Sequence, residues 1–155
     1  LRGANLRGAN LTDASLKGAD LTGADLAGAN LDLATFENAK LRGAKLRGAF
    51  IRSPRLIHAG SETGAVFYGA DLSGADLSDA NLGGVNFYGA DLSGANLRGG
   101  NFFGAYFNGA DLGGANLSEA NLRGSDLTGA DLSEANFTGA DLTGSRGKKA
   151  PSCTG

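Results

Sequence analysis

The sequence predicts an all-β solenoid, a chain wound into coils of short extended sides and tight corners, with the coils stacked on one another. Three observations predict it. An apolar centre, Leu or Phe and once Ile, recurs every fifth residue from Leu1 to Leu56 and again from Phe67 to Leu142, giving 28 centres. Ala stands two residues before the centre in 23 of the 27 cases present, so each large inward position has a second, tightly restricted one beside it. Gly stands two residues after the centre in 20 of 28, where a corner favours a residue that takes positive φ at little cost. A period of five fits neither a helix, at about 3.6, nor a strand, at 2. Repeated corners of one hand make a coil, and coils must stack to pair their backbone groups and bury the Leu/Ala columns.

In chain order, the first array is expected over 1–56. The spacing from Leu56 to Phe67 exceeds two repeats by a single position, so an irregular insertion, bulge or loop is expected near 57–64, with a degenerate repeat at Ala59-Gly60-Ser61. Pro54 precedes it in an inward Ala position, where it lacks a ladder N–H. The second array is expected over 65–145, and the two arrays are expected to form one rod rather than a hinged pair. Residues 146–155 carry no repeat and are expected to form a flexible, solvated tail.

Composition bounds the function classes. The strict apolar period of a 155-residue chain with 27 glycines marks ordered repeats, not a low-complexity linker. The single Cys153 closes no intrachain disulfide and supports no cysteine zinc site. No apolar stretch approaches the roughly 20 residues of a membrane span. Residue 1 is Leu, already inside the repeat, so a leader or an earlier coil upstream fits the sequence. A cytoplasmic location is expected, or thylakoid lumen or periplasm if a leader was removed.

The run Ala70-Asp71-Leu72-Ser73-Gly74, Ala75-Asp76-Leu77-Ser78-Asp79, Ala80-Asn81-Leu82-Gly83-Gly84 resembles the pentapeptide-repeat proteins, whose motif is A(D/N)LXX, and the resemblance covers essentially residues 1–145. It implies a right-handed quadrilateral parallel β-helix with four pentapeptides per coil, about seven four-sided coils here. At about 4.8 Å per coil such a rod is roughly 34 Å long. The regular array looks like the cyanobacterial and chloroplast members of unassigned role.

Charge divides along the chain. Residues 1–64 hold 9 basic and 6 acidic side chains, net +3, and residues 65–145 hold 2 and 10, net −8. With the twenty-residue coil that the resemblance implies, Asp20 lies over Lys40 and Asp25 over Lys45, so much of the basic surface is expected to be compensated. No direct nucleic-acid site is expected, since a strong basic excess and interleaved aromatics are both missing. In the second array Asp71, Asp91, Asp111 and Asp131 stack on one face, one coil apart. Like charges directly opposed destabilise a sheet. Either the Asp/Asn before each centre is structural, bonding nearby backbone at the corner, or the column forms a DNA-like acidic ladder; a cation site is the weakest reading, since no loop with calcium-type ligand spacing surrounds these residues. Tyr68, Tyr88 and Tyr106 are expected on an adjoining face, with Phe103 and Phe50 also outward. These acidic and aromatic residues are the candidate interaction surface.

No catalytic constellation appears. The lone His58 has no partners that mark a triad. Asn10, Asn116 and Asn136 fall in N-x-[ST] triplets, which the repeat itself generates. The expected function is therefore a non-enzymatic protein-binding or scaffold role, without cofactor or metal, with an unspecified protein partner and end-to-end self-association of uncapped coils as a further expectation. The alternative follows the resemblance: the quinolone-resistance group of the family binds DNA gyrase by imitating DNA.

Overall fold

The computed structural model describes residues 1–50 and 66–147. The fold follows from what one five-residue unit does with its five backbone N–H groups, and the unit around Leu92 shows the pattern. The Asp91 N–H donates to Ala70 O in the preceding coil at 2.9 Å, and the Leu92 and Gly94 N–H groups donate to Asp111 O and Gly113 O in the following coil at 2.7 and 2.8 Å. The Ala95 N–H closes the corner by donating to Leu92 O at 3.0 Å. The fifth donor, Ser93 N–H, is taken by the side chain of Asp91 at 2.9 Å. All five donors are satisfied, as a buried or half-buried backbone requires.

The corner bond, with positive φ at its third residue (+62° at Gly94), is that of a type II turn. Where the repeat lacks glycine the same conformation is imposed on Asp13, Leu33, Asn38, Asp79, Glu119 and Glu134, with φ between +54° and +61°. That region costs an L-residue about 1–2 kcal/mol, so the stacked ladder on either side is what holds these six corners.

The parallel pairs step by twenty residues, for example Asn5 with Asp25 and Asp91 with Asp111. One coil therefore takes four units and four corners, and four faces run along the stack. The first face carries Leu21, Leu41, Leu72, Leu92 and Leu112; the second Leu26, Leu46, Leu77, Leu97 and Leu117; the third Leu31, Leu82, Phe102 and Leu122; the fourth Phe36, Phe67, Phe87, Phe107 and Leu127. These centres and their Ala neighbours make one buried core. On the fourth face the phenylalanines stack in a column, with ring centroids 4.6 Å apart for Phe36 and Phe67, 5.2 Å for Phe67 and Phe87, and 5.0 Å for Phe87 and Phe107. Phe102 abuts this column edge-on to Phe107. Its ring fills the space where a Cβ at residue 100 would lie, 2.4 Å away, which is why Gly100 replaces the usual Ala.

One expected boundary needs correction, and the pairing step across the break is longer than one coil. Across the break the pairing step lengthens: Thr35 pairs with Val66, Lys40 with Asp71, Lys45 with Asp76 and Phe50 with Asn81. The excess over one coil equals the whole interval from Leu56 to Phe67. Val66 thus stands above Thr35, where an unbroken count places Arg55, and Phe67 takes the side expected for Leu56. The expected insertion at 57–64, with His58, lies outside the described residues. At the other end the array does not stop at 145: β2, Arg146–Gly147, pairs in parallel with β1, Asp126–Leu127. Residues 148–155, with Cys153, lie outside the described residues.

Candidate interaction surface

Outward side chains come from three places in each unit: the residue before the centre, the residue after it, and the corner. On the first face the residues before the centre form the column Asp20, Lys40, Asp71, Asp91, Asp111 and Asp131. The four aspartates expected to stack do so, each paired with the next, and Lys40 continues the column beneath Asp71. Asp71 and Asp91 are half-buried, Asp111 and Asp131 exposed.

Each carboxylate has a local task. Its Oδ1 accepts the N–H two residues on, from Ser73 at 3.1 Å, Ser93 at 2.9 Å, Gly113 at 2.8 Å and Ser133 at 2.9 Å. The Ser73 and Ser93 hydroxyls donate to the same oxygens at 2.7 and 2.6 Å. Asn does the same work elsewhere, and on the third face the amides are linked besides, Asn101 donating to Asn81 at 2.8 Å and Asn121 to Asn101 at 2.9 Å. The N-x-[ST] triplets are also such turns: the Thr12, Ser118 and Thr138 hydroxyls donate to Asn10, Asn116 and Asn136. The structural role of the position before the centre is thus explicit. What remains specific to the first face is that four successive coils use the charged acid there.

The aromatic residues divide. Tyr68 and Tyr88 follow their centres on the fourth face and stack, centroids 5.4 Å apart and planes within 4°. They are 47% and 51% exposed, and only the corners at Gly69 and Gly89 separate them from Asp71 and Asp91. Tyr106 begins a fourth-face side, at the far edge from the aspartates, between Asn86 and Asp126. Phe103, 49% exposed, lies beyond the Gly104 corner on the third face, as does Phe50, between Asn30 and Asn81. The structure therefore brings Tyr68 and Tyr88 to the acidic column and leaves Tyr106 and Phe103 apart from it.

Cross-coil ion pairs compensate charge off this strip. Arg2 meets Asp20 at 3.7 Å, Arg7 meets Asp25 at 3.2 Å, Lys17 meets Glu37 at 2.9 Å and Arg123 meets Asp141 at 3.5 Å. The Thr22 hydroxyl, with its N–H and Arg2, holds the Asp20 carboxyl below its ordinary pKa; the Ala27 N–H, followed by Arg7, does so for Asp25. Sequence reasoning did not find the Lys17–Glu37 pair or the tyrosine stack, although both follow from a step of one coil once the coil length is known.

The family model "Pentapeptide repeats" matches residues 1–26, 14–52, 63–99 and 105–144. Among solved structures the chain is similar to Rfr23, a pentapeptide repeat protein from the cyanobacterium Cyanothece 51142, with 28% identity, 94% of this chain and 89% of that one covered, and a TM-score of 0.53. It is also similar to HetL, a pentapeptide repeat protein involved in heterocyst differentiation regulation in the cyanobacterium Nostoc sp. strain PCC 7120, with 28% identity, 96% and 91% coverage and a TM-score of 0.40. A third likeness is to full-length QnrB1, a plasmid-mediated fluoroquinolone resistance protein, with 24% identity, 95% and 81% coverage and a TM-score of 0.50. No curated protein matches the chain.

Proposed function

The chain belongs to the pentapeptide-repeat family and shares its right-handed β-helix fold, and on that premise we propose a non-enzymatic protein-binding or scaffold role exercised by the outer faces of a rigid rod. The 26 centres among the described residues, at four per coil, correspond to six to seven coils on this reading. One observation carries the reading: the ladder and corner donors and the inward side chains of the units are committed to the coil, so recognition falls to the outward side chains. The most distinctive strip among them is the Asp71–Asp91–Asp111–Asp131 column with Tyr68 and Tyr88 across the corner. Rigid presentation favours such a role, because little ordering entropy is lost on binding.

The test is a pull-down that compares wild type with a Tyr68→Ala/Tyr88→Ala variant and with Phe103→Ala. A partner lost with the tyrosines and kept with Phe103→Ala supports the strip. A partner set identical for all three proteins removes the aromatic residues from the reading.

A second reading has its own observation. Beyond Arg42 the first face carries four carboxylates at single-coil spacing and, among the described residues, no cation. That favours a DNA-like acidic surface directed at a DNA-binding protein such as gyrase; the likeness to QnrB1 contributes the fold alone. A gyrase supercoiling assay with titrated protein decides it. If the protein neither inhibits the enzyme nor protects it against a quinolone, the DNA-mimic reading is lost.

A further inference from the structure

The second face carries a charge pattern of a different kind. Its column of residues before the centre is Asn5, Asp25, Lys45, Asp76, Asn96, Asn116 and Asn136, each paired with the next, and the last of these coils, with Asn136, Thr138 and Gly139, carries no charge on this face. Beside them, after the centres or at the corners, stand Arg7, Arg47, Asp79, Arg98 and Glu119. Taken coil by coil from Arg7, the charges are +1 (Arg7), −1 (Asp25), +2 (Lys45, Arg47), −2 (Asp76, Asp79), +1 (Arg98) and −1 (Glu119). The second half is the first half in reverse order with every sign inverted. A surface with that property is complementary to itself when turned end for end.

We propose that two copies of this chain associate side by side and antiparallel through the second face, about a two-fold axis that passes between the Lys45 and Asp76 coils. This operation keeps the transverse position and reverses the axial one. It sets Lys45 against Asp76 of the second copy and Asn5 against Asn116, whose amides can pair, and it brings Arg47 opposite Ser78, one position from Asp79, and Arg7 opposite Ser118, one position from Glu119. Asp25 falls in the coil opposite Arg98. Every contact occurs twice, as an isologous interface demands. The side chains between the charges are Ala27, Ser78 and Ser118, with glycines at most corners, so the face is flat enough for close approach.

The arrangement is specific to this face and this direction. Parallel packing in register sets each charge against its own kind. The same antiparallel turn on the first face sets Asp20 against Asp91, two carboxylates. Within one chain the second-face arginines already touch acids, at 3.2 Å for Arg7 and Asp25, 3.4 Å for Arg47 and Asp79, and 3.0 Å for Arg98 and Glu119, yet their side chains remain 63%, 68% and 58% exposed. Exposed pairs of that kind contribute little by themselves. In the dimer Asp79 and Glu119 gain a second cation and Asp76 gains Lys45 of the second copy in a less hydrated setting, and the pattern of signs fixes register as well as attraction.

The test is sedimentation equilibrium of the full chain at low ionic strength and at about 0.5 M salt, where screening is strong. A dimer is expected at low salt, with a dissociation constant that rises at least about tenfold at high salt. Lys45→Asp/Arg47→Asp and Asp76→Lys/Asp79→Lys are each expected to be monomeric, because each sets like charges across the axis, and their equimolar mixture is expected to restore the dimer. Arg7→Glu and Glu119→Arg apply the same logic at two exposed positions, so the test stands even if a double variant fails to fold. The proposal is overturned if wild type is monomeric at low salt, if the reversed variants still form homodimers, or if the mixture of folded variants stays monomeric.

Discussion

Asp91 offers a way to separate the structural task of the acidic column from its charge. In Asp91→Asn the side-chain oxygen that receives the Ser93 N–H at 2.9 Å and the Ser93 hydroxyl at 2.6 Å is kept. The charge between Asp71 and Asp111, one coil away on either side, is removed. Two unit charges about 4.8 Å apart repel by about 1 kcal/mol in water, and salt at physiological strength roughly halves that. Relief from two neighbours is then about 1 kcal/mol, less a few tenths for the lost charge assistance of the two hydrogen bonds. Asp91→Asn is therefore expected to stabilise the protein by roughly 0.5 kcal/mol at physiological salt and by about 1 kcal/mol at low salt, with the gain fading as salt rises further. Asp91→Ala also relieves the repulsion but leaves two donors without their acceptor, at about 0.5–1.5 kcal/mol each, so it is expected to destabilise. Urea unfolding at two salt concentrations measures both. If the two variants change stability alike, in sign and in salt dependence, the division of labour argued for this column is wrong.

Three further outcomes follow from single features. Ser125 replaces an inward Ala, is fully buried, and its hydroxyl has no hydrogen-bond partner among the described residues; Ser125→Ala is expected to raise stability by about 1–2 kcal/mol in the same unfolding assay. Gly100→Ala restores the repeat's usual residue but drives a methyl into the Phe102 ring, so it is expected to cost about 1–3 kcal/mol, visible as a lowered melting temperature. The carboxyls of Asp20, Asp25, Asp126 and Asp141 are held below their ordinary pKa, chiefly by the Thr22 hydroxyl, the Ala27 N–H, the Thr128 hydroxyl and the Thr143 hydroxyl. Groups depressed in the folded state contribute stability above the unfolded carboxylate value of about 3.9, so the urea midpoint should show no contribution from them between pH 7 and 5 and fall as pH drops below about 4.

The repeat was legible because its information is local. Ala, Asp or Asn, Leu and Gly each answer a requirement within five residues: an inward small side chain, an acceptor for a stray N–H, an inward large side chain, and a left-handed corner. Asp71, Asp91, Asp111 and Asp131 could be grouped by counting once the family resemblance supplied a coil of twenty. Counting alone does not place the interval from Leu56 to Phe67, which reads as two repeats and a slip: Val66 pairs with Thr35, and Phe67 continues the ring stack from Phe36 to Phe87. In the sequence Phe103 groups with the tyrosines because it too is outward and aromatic. A corner at Gly104 turns it onto another face, and facing direction depends on the position within the coil, not on residue type.

A solenoid of this regularity limits where selectivity can reside. Exchanging Asp for Asn before a centre leaves the corner intact, since either side chain accepts the same N–H, so the corner does not discriminate between them. The sequence nevertheless places Asp in four successive coils of the first face and Asn at 81, 101 and 121 on the third. The second face alternates its charges in a sequence that inverts about its middle. Because the corner is indifferent to these choices, the differences between faces bear on what each face meets. On the readings proposed above, the first face, with its tyrosines at the edge, meets a partner that carries positive charge, and the second meets a copy of itself. Those two surfaces share only the corner between them, so self-association through the second leaves the tyrosine edge of the first face open to a partner.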